Sequence, residues 1–296
     1  MLVPFPVGGR PGSGVPDQAN GQAMCDWYSR SMAWPVLVFD IESIPDVAGL
    51  RLLRNSPPDL SDEQVYAGWV QERKDNGQGD FMPHYLQRVL VISCVFRNAE
   101  GLRVHSFVDR DGASEGKVIQ AFFNALEKHV PQLVSWNGGG FDLPVLHYRG
   151  LRHGVTADRY WCMGEGGGAD DREFKWNNYI SRYHMRHLDL MDLLAMYQPR
   201  ANAPLDAMAK LCGFPGKLGM DGSKVYDAYR AGQLEDIRRY CETDVMNTYL
   251  VYCRFQKMRC GFTEAEYAQE IAFVKQALGG LAHDEPHWKE YLAAWE

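Results

Sequence analysis

The sequence predicts an α/β fold in which a mixed β-sheet is flanked by helices. Two apolar segments, at residues 88–97 and 102–108, have the composition of strands, and "NAEG" between them is a hairpin signal. Residues 114–130 then have apolar side chains at helical spacing and lead into the short apolar strand "QLVSW". A helix that leads into a strand indicates a crossover onto the same sheet. This order predicts an antiparallel meander with parallel strands added beside it.

The first predicted strand, at residues 35–43, contains "VLVFDIES". Side chains alternate between the two faces of a strand, and apolar residues occupy both faces here, as in a strand buried on both sides. Asp40 and Glu42 lie on the face that Val36 and Val38 share. An isolated ionised carboxylate in such surroundings must change its protonation state, find a partner or bind a cation.

The remaining predicted elements are mainly helices. A polar stretch at residues 61–75 is expected to be helical, and "GEGGGADD" at 164–171 is expected to be a mobile loop. The latter is not a phosphate-binding loop, because it does not separate a strand from a helix that opens with Lys-Ser or Lys-Thr. Further helices are predicted at residues 142–152, 189–197, 205–212, 223–230, 233–258 and, in pieces, 264–294.

Composition limits the class of protein. The chain has 296 residues, of which 46% are hydrophobic and 23% charged, which is ordinary for a globular protein. Apolar runs fall short of the roughly 18 residues of a membrane helix, and the start lacks the apolar stretch of a signal peptide. We therefore expect a cytoplasmic protein without a membrane partner. The seven cysteines are scattered without a C-x-x-C pair, which argues against a disulfide framework or a zinc site.

Three segments place acids where structure alone does not require them. The first is Asp40 with Glu42, and the second is "VSWNGGGFDLPVL", where Asp142 follows a strand and a glycine-rich turn at a predicted helix N-cap. In the third, "RRYCETDVMNTYLVY", Tyr240 and Asp244 are four residues apart and so share one helix face. Taken singly, each has a structural explanation: a salt-bridged pair, a helix cap, or a core tyrosine beside a surface acid.

Taken together and in order, these segments can supply four carboxylates to one end of a sheet. Hard divalent cations prefer such oxygen ligands, and two cations about 3.5 to 4 Å apart can bind both the attacking and the leaving oxygen of a phosphodiester. The net charge of −7 argues against broad binding to polyanions but allows a local site for nucleic acid beside such an acidic centre.

The motifs "FDIES", "WNGGGFD" and "YCETD" resemble the three exonuclease motifs of the DEDD superfamily of 3′-5′ exonucleases, in the branch with tyrosine in the third motif (DEDDy). Over residues 34–256, the chain resembles stand-alone bacterial proteins related to the proofreading exonuclease domain of family B DNA polymerases. The resemblance implies a ribonuclease H-like fold and two divalent cations, Mg²⁺ or Mn²⁺. It also implies a nucleic acid 3′ end as the substrate, with single-stranded or frayed DNA favoured and RNA possible.

The resemblance also implies roles for the five motif residues. Asp40 would bridge both cations, and Glu42 and Asp244 would complete the site on the side of the nucleophile. Asp142 would act on the other cation, directly or through water. Tyr240 would contact the water that attacks the terminal phosphorus. Nucleoside 5′-monophosphates would be released.

Four further residues are candidates for contacts with the nucleic acid: Ile41, Asn137, Phe141 and Lys217. Phe141 could stack on a terminal base, with core packing as the alternative. Lys217, in "FPGK", could face the nucleic acid, with a solvated turn lysine as the alternative.

Other functions stay open at this level: a ribonuclease, an endonuclease on the same fold, or a nucleic-acid-binding module without catalysis. For domains, we expect a flexible leader at 1–31, an exonuclease domain at 32–260 and a C-terminal helical extension at 261–296 packed on that domain.

Overall fold

A computed structural model of the protein describes residues 35–166 and 169–295, so the leader expected at 1–31 lies outside the described residues. Within these residues, five strands form one sheet in the order β3-β2-β1-β4-β5. The predicted mixed α/β sheet flanked by helices is therefore confirmed. The strands are β1 (Val36–Pro45), β2 (Gln87–Asn98), β3 (Gly101–Val108), β4 (Gln132–Ser135) and β5 (His187–Asp189).

The sheet combines an antiparallel meander with parallel additions, as the sequence predicts. β1 pairs antiparallel with β2, which pairs antiparallel with β3 through the predicted hairpin. On its other side β1 pairs in parallel with β4, and β4 with β5. The β1–β4 pairing covers only Val36 to Val38. The second half of β1 consequently extends past the end of β4, and its backbone on that side is available to other groups.

Helices cover both faces of the sheet. They are α1 (Val47–Arg54), α2 (Asp62–Asp75), α3 (Glu115–His129), α4 (Asp142–His153), α5 (Asp158–Trp161), α6 (Ala169–Phe174), α7 (Leu190–Leu194), α8 (Leu205–Leu211), α9 (Val225–Arg230), α10 (Leu234–Met258), α11 (Glu264–Leu281) and α12 (His287–Ala293). None of the helices in the described ranges is both long enough and apolar enough to cross a bilayer.

The alternation of β1 separates two apolar cores. Val36 and Val38 pack with Tyr249 and neighbouring residues of α10, whereas Leu37 and Phe39 pack in the core formed with α3 and α4. Helices α11 and α12 add buried aromatic residues to the α10 side, and the Tyr291 hydroxyl donates to Asn247 Oδ1 at 2.7 Å. The long helix α10 is thus fixed between the sheet and the C-terminal helices.

The structure corrects three local predictions. The helix predicted at residues 189–197 is present but shorter, as α7 (Leu190–Leu194), and the strand β5 that precedes it was missed, because a three-residue segment has no strand periodicity of its own. The loop predicted at 164–171 contains the start of α6, and residues 167–168 lie outside the described residues. The sequence analysis also misses helix α1, which has eight residues, and helix α5, whose four residues are too few to show an apolar period.

Candidate active site

The five motif residues meet at one edge of the sheet. Asp40 and Glu42 come from β1, Asp142 from the first turn of α4, and Tyr240 and Asp244 from α10. All but Tyr240 and Glu42 line a cleft of about 540 Å³. The residues that line this cleft are Asp40, Ile41, Trp136, Asn137, Phe141, Asp142, Met191, Asn202, Ala203, Pro204, Leu205, Asp206, Lys217 and Asp244.

Asp40 and Glu42 face α10, as alternation along β1 requires. Glu42 is buried and Asp40 half-buried. The Cys241 thiol on α10 donates to the Asp40 carbonyl oxygen at 3.5 Å and to Asp40 Oδ2 at 3.6 Å. Burial, with Asp40 and Glu42 next in effect, raises the pKa of this thiol. Cys241 therefore remains a neutral donor beside the acids, a contact that no pattern in the sequence indicates.

Asp142 contacts the part of β1 that extends past β4. Its Oδ1 accepts a hydrogen bond from the Ile41 backbone N–H at 3.1 Å. The expected N-cap role is wrong: the helix begins at Asp142 itself, and Phe141 occupies the N-cap position without a side-chain cap. Because β4 ends early, this backbone donor needs another acceptor, and the side chain of Asp142 supplies it.

The glycine-rich turn before α4 brings Asp142 into this position. Asn137 adopts a left-handed conformation with φ of 68°, and its carbonyl oxygen accepts from Phe141 N at 2.9 Å. A Cβ on Gly138 would lie 2.3 Å from Ser135 Oγ, so a glycine is required there. The Asp189 carboxylate accepts from Asn137 N at 3.0 Å and from Gly139 N at 2.8 Å. Asp189 thus stabilises the glycine-rich turn through two hydrogen bonds to its backbone. The sequence analysis assigned Asp189 only to a helix and gave it no role at the site.

Tyr240 and Asp244 lie one turn apart on α10, as predicted, and both are buried. Lys217 completes this side of the site: its Nζ donates to the Tyr240 hydroxyl at 2.6 Å and lies 3.4 Å from Asp244 Oδ2. Among the described residues that line the cleft, Lys217 is the one cation. The alternative of a solvated turn lysine is therefore wrong, because its ammonium group lies inside the acid cluster.

The carboxyl groups of the cluster resist ionisation. The pKa of Asp40 is raised, first by burial and then by the neighbouring carboxylates of Asp142, Glu42 and Asp244. Burial also raises the pKa of Glu42 and of Asp244, and it raises the pKa of Asp142 to about 7. Several acids that each raise their neighbours' pKa require compensating positive charge if they are all to be ionised near neutral pH.

The donor set fits divalent cations. Asp40, Glu42 and Cys241 can each place one ligand atom within 4.8 Å of the others. Asp244 Oδ1 is buried and has no hydrogen-bond partner in the described part of the chain. A buried carboxylate oxygen without a protein partner is rare unless an ion or a water molecule binds it. Hard cations such as Mg²⁺ and Mn²⁺ prefer carboxylate oxygens, and a neutral thiol is a poor ligand for them.

The four candidate substrate contacts also lie at the cleft. Ile41, Asn137, Phe141 and Lys217 all contribute to its lining. Phe141 is half-buried at the rim, so it combines packing under the turn with an accessible face.

Comparison with known proteins finds a matching family. A family model described as "Predicted 3'-5' exonuclease related to the exonuclease domain of PolB" matches residues 79–295. This segment contains Asp142, Tyr240 and Asp244 and begins after Asp40 and Glu42. No curated protein matches the chain.

Proposed function

Since the chain belongs to the family of predicted 3′-5′ exonucleases related to the exonuclease domain of PolB, we propose that it is a metal-dependent exonuclease. It would hydrolyse phosphodiester bonds at the 3′ end of single-stranded or frayed nucleic acid and release nucleoside 5′-monophosphates. The observation that carries this proposal is that Asp40, Asp142 and Asp244 line one cleft, with Glu42 buried two residues from Asp40 on the same face of β1. The relation to PolB favours DNA as the substrate.

The four carboxylates are the ligands that we assign to the cations. We assign Asp40 as the bridging ligand because "FDIES" resembles the first exonuclease motif. Glu42 and Asp244 would complete one site, and Asp142 would serve the other, directly or through water. When bound there, two divalent cations, Mg²⁺ or Mn²⁺, would lower the pKa of the attacking water and stabilise charge on the leaving 3′ oxygen.

Tyr240 and Lys217 would act on the water and the phosphate. Burial, followed by the carboxylates of Asp244, Glu42 and Asp40, raises the pKa of Tyr240, so its hydroxyl keeps its proton and can donate to a water. Lys217 donates to that hydroxyl and thereby orients it. The ammonium group of Lys217 would also offset negative charge on the phosphate. Ile41, Asn137 and Phe141, which also line the cleft, would contact the terminal nucleotide.

Tyr240→Phe should slow turnover by about 100-fold and leave the affinity for the nucleic acid nearly unchanged, because only the hydroxyl that orients the water is lost. Rapid-quench measurement of the chemical step, with a separate binding titration, checks this. Tyr252→Phe is the matched control, since its hydroxyl lies on the same helix but donates to Gln132 Oε1. Equal losses in both variants would contradict the assigned role.

The test of the function itself is a metal-dependent release assay. We expect labelled mononucleotide from linear single strands with Mg²⁺ or Mn²⁺ and none with chelator. Matched DNA and RNA strands decide the sugar preference, and DNA should be degraded faster. A covalently closed single-stranded circle should resist, because it has no 3′ end; cleavage of the circle as fast as the linear strand would show an endonuclease instead.

A further inference from the structure

Arg149, Asp46 and Glu115 form an ion cluster in the protein interior. Arg149 is 1% exposed, and both carboxylates are buried as well. The guanidinium group of Arg149 binds Glu115 bidentately, with Nε 2.7 Å from Oε1 and Nη2 2.5 Å from Oε2. Its Nη1 donates to Asp46 Oδ2 at 2.5 Å. We call these three residues the buried ion cluster. None of the three lines the active-site cleft, so the proposed chemistry does not use them directly.

Stability alone does not explain the buried ion cluster. Moving ionised groups out of water is costly, and an apolar cluster of similar volume is often at least as stable. A bidentate pair, however, fixes both the distance and the orientation between its partners, which apolar packing does not. Although burial opposes ionisation, hydrogen bonds from Arg149 lower the pKa of Asp46 and that of Glu115. The cluster therefore stays ionised and holds its partners at fixed separations.

Glu115 connects the cluster to the strand pair that carries Glu42. The pairing of β1 with β2 shifts register between Glu42 and Ser43. Opposite Ser43, the Val89 backbone N–H donates to Glu115 Oε1 at 2.8 Å. Glu115 thus fixes β2 at this irregularity of the sheet, opposite the residue that follows the proposed cation ligand Glu42.

Asp46 and Arg149 extend the connection to β1 and to α4. Asp46 follows β1 directly, four residues after Glu42, and its second carboxylate oxygen caps α1. Arg149 lies on α4 seven residues after Asp142, which is about two helical turns, and therefore on the same face of that helix. The buried ion cluster consequently joins the strand that carries Asp40 and Glu42 to the helix that carries Asp142.

We propose that Arg149 is a positioning residue for the cation site and sets the spacing between Asp142 and the pair formed by Asp40 and Glu42. The inference rests on the proposed function, since it takes these acids as the cation ligands. Ligands from two elements bind ions tightly when their separation is fixed before the ions arrive. Groups behind the ligands supply such support, and their loss weakens metal binding.

Mn²⁺ binding to the metal-free, folded protein tests the proposal. The EPR signal of free Mn²⁺ gives Kd without substrate or catalysis, and circular dichroism verifies folding. Arg149→Lys keeps the positive charge but lacks the fork for bidentate pairing, so Kd should rise about 10-fold. Asp46→Asn is a second variant, which decides the question if Arg149→Lys does not fold. It keeps an oxygen for the helix cap but loses the charge that faces Arg149, and Kd should again rise.

Arg97→Lys is the matched control. Arg97 pairs bidentately with Glu270, with Nε and Nη2 each 2.9 Å from a carboxylate oxygen, and lies on β2 opposite Val36, at the other end of β1. Loss of this fork should lower the Tm but leave Kd for Mn²⁺ unchanged.

The possible outcomes separate this proposal from the proposed function. A wild-type Kd in folded Arg149→Lys, whatever its Tm, would overturn the positioning role and leave the proposed exonuclease activity intact. An equal rise in Kd in Arg97→Lys would also overturn it, because the loss of any buried ion pair would then have the same effect. A wild-type protein that binds no Mn²⁺ would overturn both the positioning role and the proposed cation sites.

Discussion

Asp40→Asn should reduce nucleotide release from a 3′-labelled oligonucleotide by at least about 10³-fold. Asp40 interacts with each of the other three acids, so its loss removes the ligand shared by both proposed cation sites. The asparagine side chain has almost the same shape, and the packing of β1 should therefore persist. Initial rates at saturating Mn²⁺, with circular dichroism to verify folding, measure the effect.

The control for Asp40→Asn is a carboxylate outside the cluster. Asp236 is exposed on α10, two turns before Asp244, and pairs with Arg239 at 3.3 Å. Asp236→Asn removes the same charge from the chain but should keep nearly full activity, because surface pairs contribute little. If Asp40→Asn retained wild-type rates, the site assignment would be wrong.

Cation binding should have a second large effect, on thermal stability. At about 100 times its dissociation constant, Mn²⁺ should raise the Tm of the chelator-treated protein by about 5 °C, because the cations neutralise acids that repel one another in the folded state. Asp40→Asn should raise the Tm of the metal-free protein, since it removes a half-buried carboxyl group whose ionisation Asp142, Glu42 and Asp244 oppose. The same variant should lose most of the Mn²⁺ response. Differential scanning fluorimetry measures both.

Two comparisons make the stability result specific. Asp236→Asn should show the wild-type response to Mn²⁺. Wild type is titrated with Mn²⁺, with Ca²⁺ and with NaCl at the same ionic strength. NaCl should not reproduce the rise in Tm, which separates binding at the site from general salt screening. A Tm that is insensitive to divalent cations in the wild type would count against the proposed cation sites, whatever the source of any activity.

Much of the fold follows from local pattern. Alternation along residues 36–44 predicts that Asp40 and Glu42 share a face, and the four-residue spacing of Tyr240 and Asp244 predicts that they are neighbours on a helix. Both arrangements are present in β1 and α10. Such predictions succeed because strand and helix periodicity depends only on residues close together in the chain.

Other features depend on contacts between distant segments. β5 has three residues and exists because β4 offers it a partner. Asp142 accepts from Ile41, 101 residues earlier, because the β1–β4 pairing ends at Val38. Neither property is encoded in a local period, so sequence patterns miss the strand in the first case and predict an N-cap in the second.

The sequence by itself determined the sheet with its meander, the long helix that carries Tyr240 and Asp244, and the residue types of the acid cluster. Only the tertiary structure decided that Lys217 lies 3.4 Å from Asp244, that Cys241 contacts Asp40, and that Phe81 lies beside Phe141. The physical reason is that burial, charge interactions and ring contacts act through space, between side chains whose separation along the chain leaves no periodic signal.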